Sequence, residues 1–231
     1  ALAVALAHET GGEVVGADSM QVYRRMDIGT AKPTAEEMEG VPHHMIGVAD
    51  PWESWSAARF TEAADACVQD ILRRGRRPIL VGGTGLYLDA LLRGIDFAAG
   101  SQDTPLRRHL QERLRREGAE TLLEELRRVD PDSAVRLHLR DEKRILRALE
   151  VYQETGETIT QHDRRTREQP PRYEGLFVGL NFKDRQNLRD RIDRRVDDMV
   201  AQGLLDEVRS LLRARPLRSP AQGRRGTVPL N

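Results

Sequence analysis

One cysteine, Cys67, stands in 231 residues. That excludes a disulfide within the chain and a cysteine-built zinc site, and it suits a reducing cytosol. Aromatic residues make up only 4%, too few for a surface that stacks base after base of a single strand on rings. No apolar run nears the roughly 20 residues that cross a bilayer. The opening Ala1–Ala7 run has no basic flank and passes into His8-Glu9, so it makes a poor signal peptide. Lysine is scarce: Lys32, Lys143 and Lys183 are the full set, and none follows a glycine. The formal net charge is zero, which argues against a general nucleic-acid adhesive.

Charge is present in quantity but unevenly spread. Charged residues make up 32% of the chain, which suggests long solvated helices. Residues 1–98 hold 9 Lys/Arg against 14 Asp/Glu, residues 101–173 hold 16 against 15, and residues 174–231 hold 12 against 8. A polyanion would sit best on the last segment. The length allows one hydrophobic core plus an insertion, or two small domains.

Hydrophobic patterning gives the fold class. Residues 1–10 read as the end of a buried helix closed by Gly11-Gly12. Val14–Ala17 and Pro78–Val81 are short apolar runs, the pattern of strands covered on both faces. Ser56–Leu72 and Leu86–Leu92 read as helices between and after them. This alternation predicts an α/β fold with a parallel sheet, whose ligands bind beyond the C-terminal strand ends. From about residue 99 the pattern turns wholly helical. Leu176–Leu180 predicts a third strand, and Leu188 to Leu205 a long amphipathic helix. The expected organisation is a core of residues 1–98 and 174–231, interrupted by a helical insertion over 99–173.

Two candidate groups sit at strand ends. Gly82-Gly83-Thr84-Gly85 would let backbone amides and a hydroxyl approach an anion, although a tight turn without a ligand has the same sequence. Asp18, in Asp18-Ser19-Met20-Gln21, reads first as a cap and second as a carboxylate aimed into a ligand crevice. Ile28–Pro33 holds a Gly-Thr turn and a lysine, which suits a phosphate or an ordinary loop. His43-His44 is discounted as a metal site, because adjacent side chains rarely share an ion. Arg140, Lys143, Arg144 and Arg147 recur at helical spacing, as either an RNA-facing ridge or a solvated face paired with Glu142 and Glu150. Arg185 is placed for the crevice by the strand expected just before it, and arginine grips phosphate in a bidentate way.

Taken in order, GADSMQVYRRMDIGTAKP, PHHMIGVADPWESWSAARF, PILVGGTGLYLDALLRG, KRILRALEVYQETG and RDRIDRRVDDMVAQGLLDEV closely resemble the tRNA dimethylallyltransferase family, from residue 1 to about Leu212. The resemblance implies a P-loop NTPase-like three-layer core and a transfer reaction. A dimethylallyl group moves from dimethylallyl diphosphate to the exocyclic amine of the adenosine 3′ of the anticodon. It implies that Asp18 takes the amine proton, that Asp18, Ser19, Met20 and Gln21 contact the flipped nucleotide, and that Thr84 donates toward the bridging oxygen of the diphosphate. Gly83, Arg185 and Arg191 would then lie near the diphosphate. Arg107 and the run Lys143, Arg144, Ile145, Leu146 and Arg147 would face the tRNA, with the insertion clasping the anticodon stem-loop. Magnesium is implied on the diphosphate. A cytoplasmic monomer is expected.

The sequence also departs from the family. Its G-x-T-x-x-G-K-[ST] loop, which supplies the metal-binding hydroxyl, is absent from these residues. Residues 213–231 are basic and aperiodic where the family continues with a Gly-Tyr-Lys segment. The expectation is a partial or inactive form of the transferase. The competing readings are a tRNA-binding relic without chemistry, a small-molecule kinase on the same core, and a prenyltransferase of free adenine nucleotides.

Overall fold

The computed structural model describes residues 1–95 and 104–215. Gly12–Gly16 (β1), buried along its whole length, is the central strand. His43–His44 (β2) and Arg77–Val81 (β3) flank it in the order β2-β1-β3, and all pairs are parallel. Leu2–Thr10 (α1) precedes the sheet and ends where Gly11 turns left-handed, at φ 64°; the short helix Ala35–Met38 (α2) comes before β2. Val4 and Ala7 of α1 pack with Val14, Val41 and Ile79. Each buried valine of that kind contributes roughly 1.5–3 kcal/mol.

Glu13 is a charged residue in the middle of this buried strand, only 2% exposed. Both carboxylate oxygens accept from the Arg74 guanidinium, with Nη2 at 2.8 Å from Oε2. His44 Nε2 meets Oε2 at 2.8 Å, and Arg76 Nε lies 3.6 Å away. The guanidinium of Arg74 holds the Glu13 carboxyl down at about 2, against the opposing effect of burial. This ion cluster ties β2 and the residues after Ala57–Arg73 (α3) to the central strand.

The described residues group into two compact units. One comprises Ala1–Trp55, Ala66–Thr84 and the described residues from Val178 on; the other comprises Ser56–Asp65 and the described residues of Gly85–Phe177. The second is wider than the expected insertion, for it takes in Gly85–Arg93 (α4) and the start of α3. There Phe60 stacks on Tyr87 at 4.1 Å between centroids, and Asp65 accepts from Arg172 at 2.7 Å and from the Tyr173 hydroxyl at 2.6 Å. Pro105–Val129 (α5), Pro131–Val135 (α6), Glu142–Thr155 (α7) and Ile159–Glu168 (α8) follow. Their core is Leu110, Leu122, Leu123, Leu126, Ile145, Leu146 and Leu149. Buried Asp130 caps α6 and also accepts from the Thr160 backbone and hydroxyl, which joins α6 to α8.

Two expectations need correction. Leu176–Leu180 forms no strand: Leu176 is 93% and Phe177 71% exposed, and these residues pair with neither outer edge of the sheet. The local pattern favours an extended chain, but a strand exists only where an edge accepts its hydrogen bonds. The expected long helix is in fact two, Arg185–Ala201 (α9) and Leu204–Ala214 (α10), because Gly203 between them takes φ 99°. The aperiodic tail from residue 216 lies outside the described residues.

Candidate active site

The C-terminal ends of β1 and β3 lie side by side. The Ala17 N–H donates to the O of Val81, the last residue of β3, at 2.7 Å, extending the ladder one residue beyond β1. A Cβ on Gly82 would stand 2.1 Å from Ala17 O, so the first glycine of Gly82-Gly83-Thr84-Gly85 is required by the close approach of two backbones. Gly83 faces open space. The chain then turns back: the Thr84 N–H donates to Ala17 O at 3.2 Å, and the Ser19 N–H donates to Thr84 Oγ1 at 3.0 Å. The structure therefore joins the two sequence-predicted groups through one hydrogen bond.

Each group keeps capacity for a ligand. Asp18 Oδ1 accepts from the Met20 N–H at 2.8 Å and the Gln21 N–H at 3.2 Å; no helix follows, so the aspartate closes a turn where the sequence suggested a helix cap. Among the described residues none donates to its Oδ2. Thr84 Oγ1 is an acceptor in its one hydrogen bond, and no described residue takes its O–H hydrogen. Asp18, Ser19 and Thr84 are half-buried and Met20 is exposed. A carboxylate oxygen and a hydroxyl donor are thus both available at this one pair of strand ends.

The loop beyond Asp18 is braced from several sides. Gln21 Nε2 donates to Thr30 O and Ala31 O, each at 3.1 Å. The Arg24 N–H donates to Ala49 O and the Ala49 N–H to Val22 O, at 2.8 and 2.9 Å. The Arg25 guanidinium lies 4.6 Å from the centre of the Trp52 ring. Lys32, with its side chain only 8% exposed, donates to Tyr23 O and to Asp27 Oδ1. The expectation of a phosphate on Ile28–Pro33 is overturned for this arrangement. The N–H groups of Asp27, Ile28 and Gly29 all donate to the Glu207 carboxylate, at 2.7, 2.7 and 3.0 Å. The loop does bind an anion, but the anion belongs to the protein.

The remaining predicted residues divide. Arg185 and Arg191 are exposed on α9; with no strand before it, the reason given for placing Arg185 in the crevice is lost. In the helical unit Lys143 and Arg144 are exposed. Arg107 and Arg147 both donate to Oε2 of buried Glu150 at 2.9 Å, while Glu150 Oε1 has no partner among the described residues. Ile145 and Leu146, 0% and 4% exposed, belong to the helical core, so their side chains are corrected from RNA contacts to packing. Of the three carboxylates that organise these regions, sequence reasoning missed Glu13 and Glu207; Glu150 it offered as a partner of a solvated basic face, and the structure pairs it with Arg147 but buries it. Of the two missed, only Glu13 carried a signal, as an acid beside an apolar run.

Residues 21–226 match the family model described as IPP transferase. The chain is 52% identical over 214 residues to tRNA dimethylallyltransferase 1 of Pelobacter propionicus, a match covering 92% of this chain and 68% of the relative. The tRNA isopentenylpyrophosphate transferase of Bacillus halodurans superposes with a TM-score of 0.60 at 42% identity, over 91% of this chain and 64% of that one. A eukaryotic dimethylallyltransferase acting on tRNA superposes with a TM-score of 0.73 at 33% identity, over 92% and 52%. The chain therefore spans from about half to just over two thirds of the length of these relatives and shares their α/β fold: it belongs to the IPP transferase family, that of the tRNA dimethylallyltransferases.

Proposed function

We propose that the protein transfers a dimethylallyl group from dimethylallyl diphosphate to the exocyclic amine of the adenosine 3′ of the anticodon in tRNA. The observation that carries this reading is the Ser19–Thr84 hydrogen bond, which links a carboxylate with a free oxygen to a hydroxyl with a free hydrogen. The amine nitrogen forms the new N–C bond as the C–O bond to the diphosphate breaks. The amine proton passes to Asp18 Oδ2, since a conjugated amine is a poor nucleophile that needs its proton removed as it attacks. The Thr84 hydroxyl donates to the departing oxygen, where negative charge grows. The adenine leaves its stack to reach this point, as base-modifying chemistry requires. Asp18, Ser19, Met20 and Gln21 hold it there.

Magnesium, where it accompanies the diphosphate, would be held by the diphosphate's own oxygens. Among the described residues no three His, Cys, Asp or Glu side chains gather as a cation site, and no step above is routed through a metal. Arg107, Lys143, Arg144 and Arg147 supply positive charge for the anticodon arm, with Glu150 fixing two of them. Arg185 and Arg191 add charge near the diphosphate. The reaction is that of a cytoplasmic monomer meeting free tRNA.

The test offers labelled dimethylallyl diphosphate to the natural protein with an unmodified anticodon stem-loop or with free adenine nucleotide. Transfer to the stem-loop supports this reading. Transfer only to the free nucleotide replaces the acceptor, and salt-dependent RNA binding without transfer leaves a binding protein.

A further inference from the structure

We infer that Glu207, which contributes no atom to the reacting groups, is a positioning residue for the acceptor half of the site; the inference rests on the function proposed above. Gly203, at φ 99°, redirects the chain so that α10 starts afresh at Leu204. Leu204 and Glu207 then share one helix face, three residues apart. Leu204 Cδ1 lies 3.0 Å from where a Gly29 Cβ would stand, so a side chain at this position would press on the leucine tip that seats α10. From that seat the Glu207 carboxylate accepts from the three consecutive N–H groups of Asp27, Ile28 and Gly29. Successive amides converging on one carboxylate form a charge-assisted nest, stronger than three neutral bonds.

The clamp reaches the site in two steps. The residues just after the nest, Thr30 and Ala31, accept from the Gln21 side-chain amide. Gln21 in turn donates its backbone N–H to Asp18 Oδ1. That bond turns Asp18 so that Oδ2 is left for the substrate. Glu207 thus stands behind Asp18 through Thr30–Ala31 and Gln21. Thr84 meets this loop through the Ser19 N–H but is anchored by β3 and by Ala17 O, so the clamp acts chiefly on the acceptor side.

The test compares Glu207→Ala, Glu207→Gln and, as a control on the same helix, Asp206→Asn in the natural protein. Hydrogen exchange is followed at the amides of 27–29 and of Met20 and Gln21, alongside initial rates with each substrate varied. In Glu207→Ala we expect amide protection to fall about tenfold or more at both places. We also expect kcat/KM for the stem-loop to fall about 10- to 100-fold, the scale of a displaced catalytic group, with KM for dimethylallyl diphosphate unchanged. Glu207→Gln, which keeps one acceptor oxygen, recovers part of the loss, and Asp206→Asn loses nothing. Exposed amides at 27–29 with undisturbed Met20 and Gln21 amides would overturn the inference, as would an equal loss toward both substrates. If the unsubstituted protein transfers nothing to RNA, the proposed function fails instead, and the Met20 and Gln21 amides alone decide whether Glu207 positions this loop.

Discussion

Thr84 permits the sharpest separation of chemistry from structure, because its one oxygen does two jobs. As acceptor it takes the Ser19 N–H at 3.0 Å; as donor its hydrogen is assigned to the departing diphosphate oxygen. Thr84→Ser keeps both functions and should transfer at close to the normal rate. Thr84→Val keeps the shape and removes both. Loss of the Ser19 bond costs about 1 kcal/mol of stability, a fall in Tm of about 2–4 °C for a chain of this size. Loss of a donor to developing negative charge costs about 3–4 kcal/mol in the transition state, or 10²–10³ in rate. Single-turnover transfer with saturating stem-loop and donor isolates the second quantity, and thermal unfolding the first. A valine variant with the lowered Tm but a rate within threefold of normal would show Thr84 to be only a latch between two strand ends, and would refute its catalytic role.

Three further outcomes follow from the same geometry. Glu13 has its carboxyl lowered from 4.5 to about 2 in the folded protein, so its stabilisation is complete above pH 4.5 and is lost as pH falls from there toward 2. The size is about 3 kcal/mol, and urea unfolding across that window should show a slope that Glu13→Gln abolishes. Gly82→Ala drives a methyl into Ala17 O at 2.1 Å and should cost about 1–3 kcal/mol or more together with transfer activity, read by melting and rate. Leu126→Ala, in the fully buried helical core, should cost about 2–5 kcal/mol in thermal or chemical unfolding.

The parts of the fold that were legible in the sequence are those specified by local pattern. The run Val14-Val15-Gly16-Ala17 announced a buried strand, and the structure extends it only toward Gly12. Arg77–Val81, α3 and α4 fell within a residue or two of their expected bounds, because apolar spacing and terminal glycines fix such elements from within. Leu176–Leu180 had equal local quality and forms no strand, since pairing depends on an edge elsewhere in the chain. His43–His44 pairs with β1 although nothing in Pro42-His43-His44-Met45 suggests a strand.

The candidate site follows the same division. The meeting of Asp18 with Thr84 was readable because parallel strands put their C-terminal ends on one side. That Gly82 is demanded by Ala17 O is a fact of two backbones, and the sequence alone could not separate it from an anion-binding glycine. The Gly-Thr turn at Ile28–Pro33 looked like a phosphate loop for a sound reason, as its amides do converge on an anion. That the anion is a glutamate almost 180 residues further on has no local trace.

Asp18 carries the weight of the account. The direct measurement is the single-turnover rate of prenyl transfer by Asp18→Asn in the natural protein, with stem-loop affinity measured alongside. The asparagine keeps an acceptor oxygen for the Met20 and Gln21 amides but cannot take a proton. The account predicts a rate about 10²- to 10⁴-fold lower with RNA affinity within about threefold of normal. Transfer at the unsubstituted rate would contradict it.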